Sequence, residues 1–266
     1  MSGECALAIE KTRLLHANEE IRANARQEKL RADVLRTISH DLRTPLTSIC
    51  GNAGMLAANA DHLPAKNRRE LAEAIGEDAR YLVSMVENIL SLTRLEQNKF
   101  MLRMEVEVVE DVVQEAMQTV RLRAGRRILK TEFPDDLLLA HMDVRLTIQV
   151  LANLLNNAIQ HSGPDTSITV RGFARGTDIV LEVADEGSGI SPADREHVFE
   201  MFYTTSTGKA DGRRGMGIGL ALCRSIVRAM GGEIGIRDNK PCGTVFFFNL
   251  RREPGEPSQA IKKEQA

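Results

Sequence analysis

Tryptophan is absent from this chain and aromatic residues make up only 4% of it, so its cores must be aliphatic, as in helix bundles. No apolar run approaches the roughly 20 residues that cross a bilayer, and the N-terminus has no signal-peptide core. The expectation is a soluble, cytoplasmic chain with no membrane span, or the cytoplasmic end of a longer membrane protein, since it opens directly into a charged helix. Cysteine is scarce: Cys5, Cys50, Cys223 and Cys242 show no CxxC or Cys/His ligand spacing. They read as reduced thiols, which excludes a disulfide scaffold and a Cys/His metal centre. Excess charge is missing too. A net charge of −2 gives no reason to expect nucleic acid or an anionic membrane as a partner. What is present is ordinary for a globular protein: 42% hydrophobic and 27% charged residues over 266 positions, enough for two modest domains.

The two halves have different periodicities. From about Leu7 to Ala58 there are few helix breakers beyond Pro45. Leu7, Leu14 and Ile21 recur at coiled-coil spacing, and after a register shift Leu30, Val34, Ile38 and Leu42 continue a helical stripe. Pro45 removes a backbone donor, which predicts a kink just after His40. A turn over Asp61 to Pro64 leads into a second helix, about Ala65 to Asn98. One heptad row of that helix is Ile75, Leu82 and Ile89, and the other is Leu71, Asp78, Met85 and Leu92. Two helices cannot enclose a core alone, so this antiparallel hairpin predicts a dimeric four-helix bundle. The same pattern also fits an antiparallel coiled coil with no chemistry.

After Phe100 strands and helices alternate. Strands are expected over Glu105–Val108, Arg127–Phe133 and Leu137–His141, and helices over Glu110–Ala124 and, capped by Asp143, to Gln160. A hairpin is expected around Arg175-Gly176-Thr177, then a helix from about Leu220 to Met230 and a closing hairpin, Glu233–Arg237 with Thr244–Leu250. Together these make an α/β sandwich, with helices on one face of a mixed sheet. The fold class is thus α+β in two domains. The expected boundaries are an N-terminal coiled-coil helix (1–32), the hairpin (33–100), the sandwich (101–252) and a disordered, Pro- and charge-rich tail (253–266).

The chemistry-bearing residues fall in both halves. His40 lies in Ser39-His40-Asp41-Leu42-Arg43-Thr44-Pro45. A neutral imidazole is a nucleophile near pH 7, and a neighbouring carboxylate can fix its tautomer. In the sandwich, Asp185-Glu186-Gly187-Ser188-Gly189 follows a strand. A buried carboxylate there can accept from the exocyclic amine that marks adenine; the alternative is a plain turn. Gly215-Met216-Gly217-Ile218-Gly219-Leu220 opens a helix, where bare N–H groups favour phosphate. It has neither Rossmann spacing nor a Walker lysine. Asn153 and Asn157 share one helix face and offer hard oxygens suited to Mg²⁺ already bound by phosphates, or else they bridge polar groups in a core. Tyr203 to Arg214 is a polar loop that can close over phosphates with Lys209, Arg213 or Arg214, or is simply a solvated linker. His16, His62 and His197 read as surface residues, and His141 ends a strand.

Taken in order, these segments resemble the orthodox two-component sensor histidine kinases. The H-box is at His40, the N-box at Asn153 to Asn157, and the G1 box at Asp185, Gly187 and Gly189. An F-box follows at Phe199-Glu200-Met201-Phe202, then the G2 box at Gly215, Gly217, Gly219 and Leu220, and a final Gly243-Thr244. The H-box, with Asp41 where many relatives carry Glu, is similar to that of the Kdp-type, potassium-responsive sensor kinases. The resemblance implies a dimerisation and phosphotransfer hairpin, then the ATP-binding fold shared with gyrase, Hsp90 and MutL (GHKL, or Bergerat). It implies autophosphorylation of His40 from ATP and Mg²⁺, with Asp41 orienting the ring, and transfer to an aspartate of a response-regulator receiver domain. It also implies a phosphatase reaction in which Thr44 orients water, potassium or osmotic signalling, and the cytoplasmic part of an inner-membrane sensor. ATP would lie on Asn153, Asn157, His161, Asp185, Gly187, Gly189, Tyr203, Lys209, Arg214, Gly215, Gly217, Gly219, Leu220 and Thr244, with the metal at Asn157 and Asn153. Gln160 and His161 depart from the basic residue and Tyr usual after the N-box, leaving the base-side contact to an imidazole. The sequence leaves two other classes open. One is an ATP-hydrolysing conformational switch, disfavoured because Asn153 stands where that class has a catalytic Glu. The other is a dimeric scaffold that binds ATP without phosphorylating itself.

Overall fold

The computed structural model describes residues 42–59, 62–96, 102–204 and 217–253. His40, Asp41, Lys209, Arg214, Gly215, the N-terminal helix and the C-terminal tail lie outside them. The chain divides into two compact units between Met85 and Val86.

The first unit is helical. Helix α1 covers 42–59, with Pro45 in its first described turn. The turn that follows is held by the amides of His62 and Leu63, both donating to the Asn59 carbonyl. Helix α2 (Ala65–Glu96) begins here and runs past the boundary between the units. Leu42, Pro45, Ile49, Asn52 and Leu56 are the more buried positions of α1, and Leu71, Ile75, Asp78, Leu82 and Met85 are among those of α2. Both rows follow the alternating three- and four-residue spacing of a helical seam. Asp78 sits within that row, half-buried, as the heptad reading expects.

The second unit contains the sandwich. Its elements are β1 (Glu105–Val108), α3 (Val109–Ala124), β2 (Ile128–Glu132), β3 (Leu139–Met142), α4 (Val144–His161), β4 (Ser167–Arg175), β5 (Asp178–Asp185), α5 (Gly219–Ala229), β6 (Ile234–Asp238) and β7 (Thr244–Arg251). Five strands form a mixed sheet in the order β2-β4-β5-β7-β6, in which β2 and β4 run parallel and the other neighbours antiparallel. β1 and β3 form a separate antiparallel ribbon, which the reading of a single sheet did not anticipate.

Residues Ile179, Leu181 and Val183 of β5 point to the helix-covered face, as the period of two in a strand requires. They meet Leu151, Leu154 and Leu155 of α4 and Leu222 and Ile226 of α5 in one core. Asp143 caps α4 as its sequence position predicts, accepting from the Leu146 amide at 3.2 Å. The core thereby pins α4 against the sheet and brings one face of that helix to the end of β5.

Candidate functional site

Asp185 is the last residue of β5 and only 3% exposed. Its Oδ1 accepts two backbone N–H groups, from Gly187 at 2.8 Å and Thr244 at 3.2 Å. Burial raises its pKa above the ordinary carboxylate value. The two amide donors and the neighbouring His161 pull it back down. With both bonds on Oδ1, the other oxygen is left to a ligand donor.

Asn153, Asn157 and His161 recur every fourth residue and so line one face of α4. The His161 carbonyl meets the turn after β5 so closely that a Cβ on Gly187 would lie 2.3 Å from it. No side chain fits there, and the glycine lets the turn fold against α4. Burial lowers the His161 pKa, with Asp185 acting in the opposite sense; the imidazole is therefore neutral near pH 7. Asn156, between these positions, turns instead to Arg123 of α3 at 3.2 Å.

At the other end of this face, the buried Nδ2 of Asn153 has no hydrogen-bond partner, and the thiol of Cys223 lies beside it. The thiol sulfur is at best a weak acceptor for that N–H. A buried donor with no strong partner is costly in a finished core, so it fits a residue that can take a ligand oxygen. A Cβ placed on Gly219 would lie 4.0 Å from the Asn153 amide carbon. The start of α5 thus comes over Asn153 without filling the space. α5 has neither a side-chain cap nor an acidic residue in its first turn, which leaves its first amides to an anion. Asn side chains beneath an anion-binding helix start suit a hard cation shared with phosphate oxygens.

The stretch leading away from this junction is firmly tied. Phe202 donates its amide to the Gly217 carbonyl at 3.1 Å and is the single non-glycine residue with positive φ (65°) among the described residues. Gly217 also has positive φ (65°), and a Cβ there would lie 2.5 Å from the Tyr203 carbonyl. The Tyr203 hydroxyl donates to Asp194 at 2.5 Å, and Ser191 donates to the same carboxylate at 2.7 Å. A nucleotide contact from that phenol requires exchanging its bond to Asp194.

The structure therefore brings Asn153, Asn157, His161, Asp185, Gly187, Gly189, Gly219, Leu220 and Thr244 to one junction, with Tyr203 and Gly217 at its border. Thr44 is exposed on α1, in the other unit. Sequence reasoning missed Asp194, the partner of Tyr203, and Asn239, whose side chain reaches Asp185. Asp194 carries a local signal, the Ser191-x-x-Asp194 capping pattern, in which Ser191 Oγ accepts from the Asp194 amide at 3.2 Å. Asn239 carries none, since it acts on a residue far away in the chain.

Residues 30–98 match the family described as His Kinase A (phospho-acceptor) domain, and residues 142–254 match the Histidine kinase-, DNA gyrase B-, and HSP90-like ATPase family. The chain is 36% identical over 95% of its length to a "Sensor protein KdpD" of Clostridium acetobutylicum. It is 32% identical over 93% to the protein of the same name in Escherichia coli. It spans only 28% and 27% of those relatives. Among solved structures, histidine kinase ThkA in complex with response regulator protein TrrA shares the fold, with a TM-score of 0.62 at 24% identity, covering 84% of this chain and 62% of that one.

Proposed function

This chain belongs to the sensor histidine kinases that carry a HisKA and a HATPase_c domain, and on that premise we propose that it phosphorylates itself on His40 from ATP. It then passes the phosphoryl group to an aspartate of a response regulator. The observation that carries the reading is the Asp185 carboxylate, held at the end of β5 by two backbone amides on Oδ1 and faced by the open Asn side of α4.

In this reading adenine lies against Asp185, which accepts from the exocyclic amine, with His161 beside it. The phosphates lie at the start of α5 under Gly215, Gly217, Gly219 and Leu220, closed over by Lys209 and Arg214. Asn157 and Asn153 would hold Mg²⁺ through their side-chain oxygens, and the metal would supply neutralisation of phosphate charge. The buried Nδ2 of Asn153 is a donor and supports a phosphate oxygen beside it. Neutral His40 attacks the γ-phosphorus through Nε2 as the bond to the β-phosphate oxygen breaks and ADP leaves. Asp41 orients the ring at Nδ1 and takes its proton. Nearly all of the rate then comes from alignment and charge stabilisation. Thr44, one turn on, orients water for the reverse, phosphatase reaction.

The domains would run 33–100 for dimerisation and phosphotransfer and 101–252 for catalysis, after a signalling helix (1–32) and before a tail. Leu46, Met55 and Val83 support a homodimer through the hairpin, because each is about half exposed at 48%, 50% and 58%. Likeness to two KdpD proteins supports the potassium-responsive reading made from the H-box. No helix among the described residues is long and apolar enough to cross a membrane, and the chain would form the cytoplasmic part of an inner-membrane sensor.

Incubation with γ-radiolabelled ATP tests the proposal. The wild type should gain an acid-labile, base-stable label, and His40→Gln should lose all of it while still binding ATP. Equal labelling of His40→Gln would overturn the assignment.

A further inference from the structure

We infer that Asn239, in the β6–β7 turn, is a positioning residue for adenine recognition, setting Asp185 through its main chain. The inference rests on the reading of Asp185 as the group that accepts from the base.

The turn Asn239-Lys240-Pro241-Cys242-Gly243 joins β6 to β7, so that Asp238 pairs with Thr244. Asn239 uses three polar groups at once. Its amide donates to the Gly243 carbonyl at 3.0 Å, which closes the turn. Its side-chain Oδ1 accepts from the Lys240 amide at 3.0 Å, and its Nδ2 donates to the Asp185 carbonyl at 2.8 Å. The last of these bonds leaves the hairpin and reaches across to the end of β5.

Gly243 shows how close the two segments come. A Cβ there would lie 1.9 Å from the Asp185 carbonyl oxygen, and its φ of +106° is one that side chains rarely adopt. The next residue, Thr244, donates its amide to Asp185 Oδ1. The turn therefore grips Asp185 at two places, the carbonyl through Asn239 and the carboxylate through Thr244. A carboxylate reading one amine is sensitive to shifts of a few tenths of an ångström, and the side chain pivots on the peptide that Asn239 holds. Asn239 itself needs no contact with the nucleotide.

Replacing the amide with a carboxylate separates this role from the turn. Asn239→Asp keeps the acceptor for Lys240 but sets oxygen against the Asp185 carbonyl, whereas Asn239→Ala loses both bonds. In the full chain, affinities for ATP and for inosine triphosphate, which lacks the exocyclic amine, are compared by calorimetry alongside Asp185→Asn. Both Asn239 variants should weaken ATP binding about tenfold, leave the inosine nucleotide within about twofold, and so bring the ratio of the two affinities down towards that of Asp185→Asn. A thermal midpoint for Asn239→Asp close to that of the wild type would show that the turn survives. If Asn239→Asp keeps the wild-type ratio, or weakens both nucleotides equally, the inference is overturned. If the wild type itself does not distinguish the nucleotides, or Asp185→Asn matches it, the Asp185 reading fails first and takes this role with it.

Discussion

The two units use hydrophobic residues at similar helical spacing and reach different ends. In the sandwich, Leu151, Leu154, Leu155, Ile179, Phe246 and Phe248 are all at most 1% exposed. In the helical unit, only Pro45 and Met85 are buried among the residues whose side chains are described, and the other seam positions remain half-covered. A sheet backed by three helices closes its own core, whereas a helix pair presents a stripe that needs a further surface. A heptad pattern thus specifies which face is to be covered, and the number of layers decides whether one chain can cover it.

The largest expected effect separates these two kinds of core. Leu154→Ala should destabilise the sandwich by about 2–5 kcal/mol, seen as a drop in thermal midpoint that does not depend on protein concentration. Met85→Asp should instead make the midpoint of the helical unit fall steeply on dilution and shift the chain towards monomer in sedimentation. A concentration-independent loss in both variants would show that the helical unit closes its core alone.

Thiol chemistry gives a smaller test. Cys50 on α1 and Cys242 in the β6–β7 turn are exposed, and Cys223 is fully buried in the sandwich core. Burial pushes the Cys223 thiol up to about 12, so little thiolate forms and nothing reaches it. Alkylation at mildly alkaline pH, read by peptide mass mapping, should modify Cys50 and Cys242 at once and Cys223 only on unfolding.

The smallest effect concerns two histidines of the second unit. Burial holds His161 below the ordinary 6.5, and the bond that the His197 Nδ1–H donates to Glu200, at 3.0 Å, holds His197 above it. His161 therefore contributes stability that is fully present above the unfolded value and lost as pH falls through its lower folded pKa. His197 contributes below that value and loses its share as pH rises through its folded pKa. Proton NMR titration should order the two in this way, and Glu200→Gln should bring His197 back towards 6.5. The reverse order would contradict the packing around His161.

Much of the sandwich was legible because its signals are local. Arg175-Gly176-Thr177 marks the β4–β5 hairpin, and Gly176 has the positive φ (63°) such a turn needs. Asp143 was legible as a cap because a cap acts within one turn. The sheet order was not, since nothing in Ile128–Glu132 says that it will lie parallel to β4 rather than beside β3. Those choices depend on which faces α3 and α4 cover. In the site, the spacing of Asn153 and Asn157 and the glycines near Asp185 pointed to one junction. The brace from Asn239 was not readable, because it links residues 54 apart through a main-chain carbonyl, which leaves no mark on residue type.

The bond between Phe202 and Gly217 also bears on how sequence length can vary. Its two ends, Phe202 and Gly217, are clasped by backbone and by a glycine that admits no side chain. Closure entropy grows only slowly, about 0.6 kcal/mol for each doubling of a span. Changes of length between Thr204 and Gly217 should therefore cost the sandwich itself little stability, so that what restrains them is the phosphate role proposed for Lys209, Arg214 and Gly215, while Phe202 and Gly217 stay as fixed bookends.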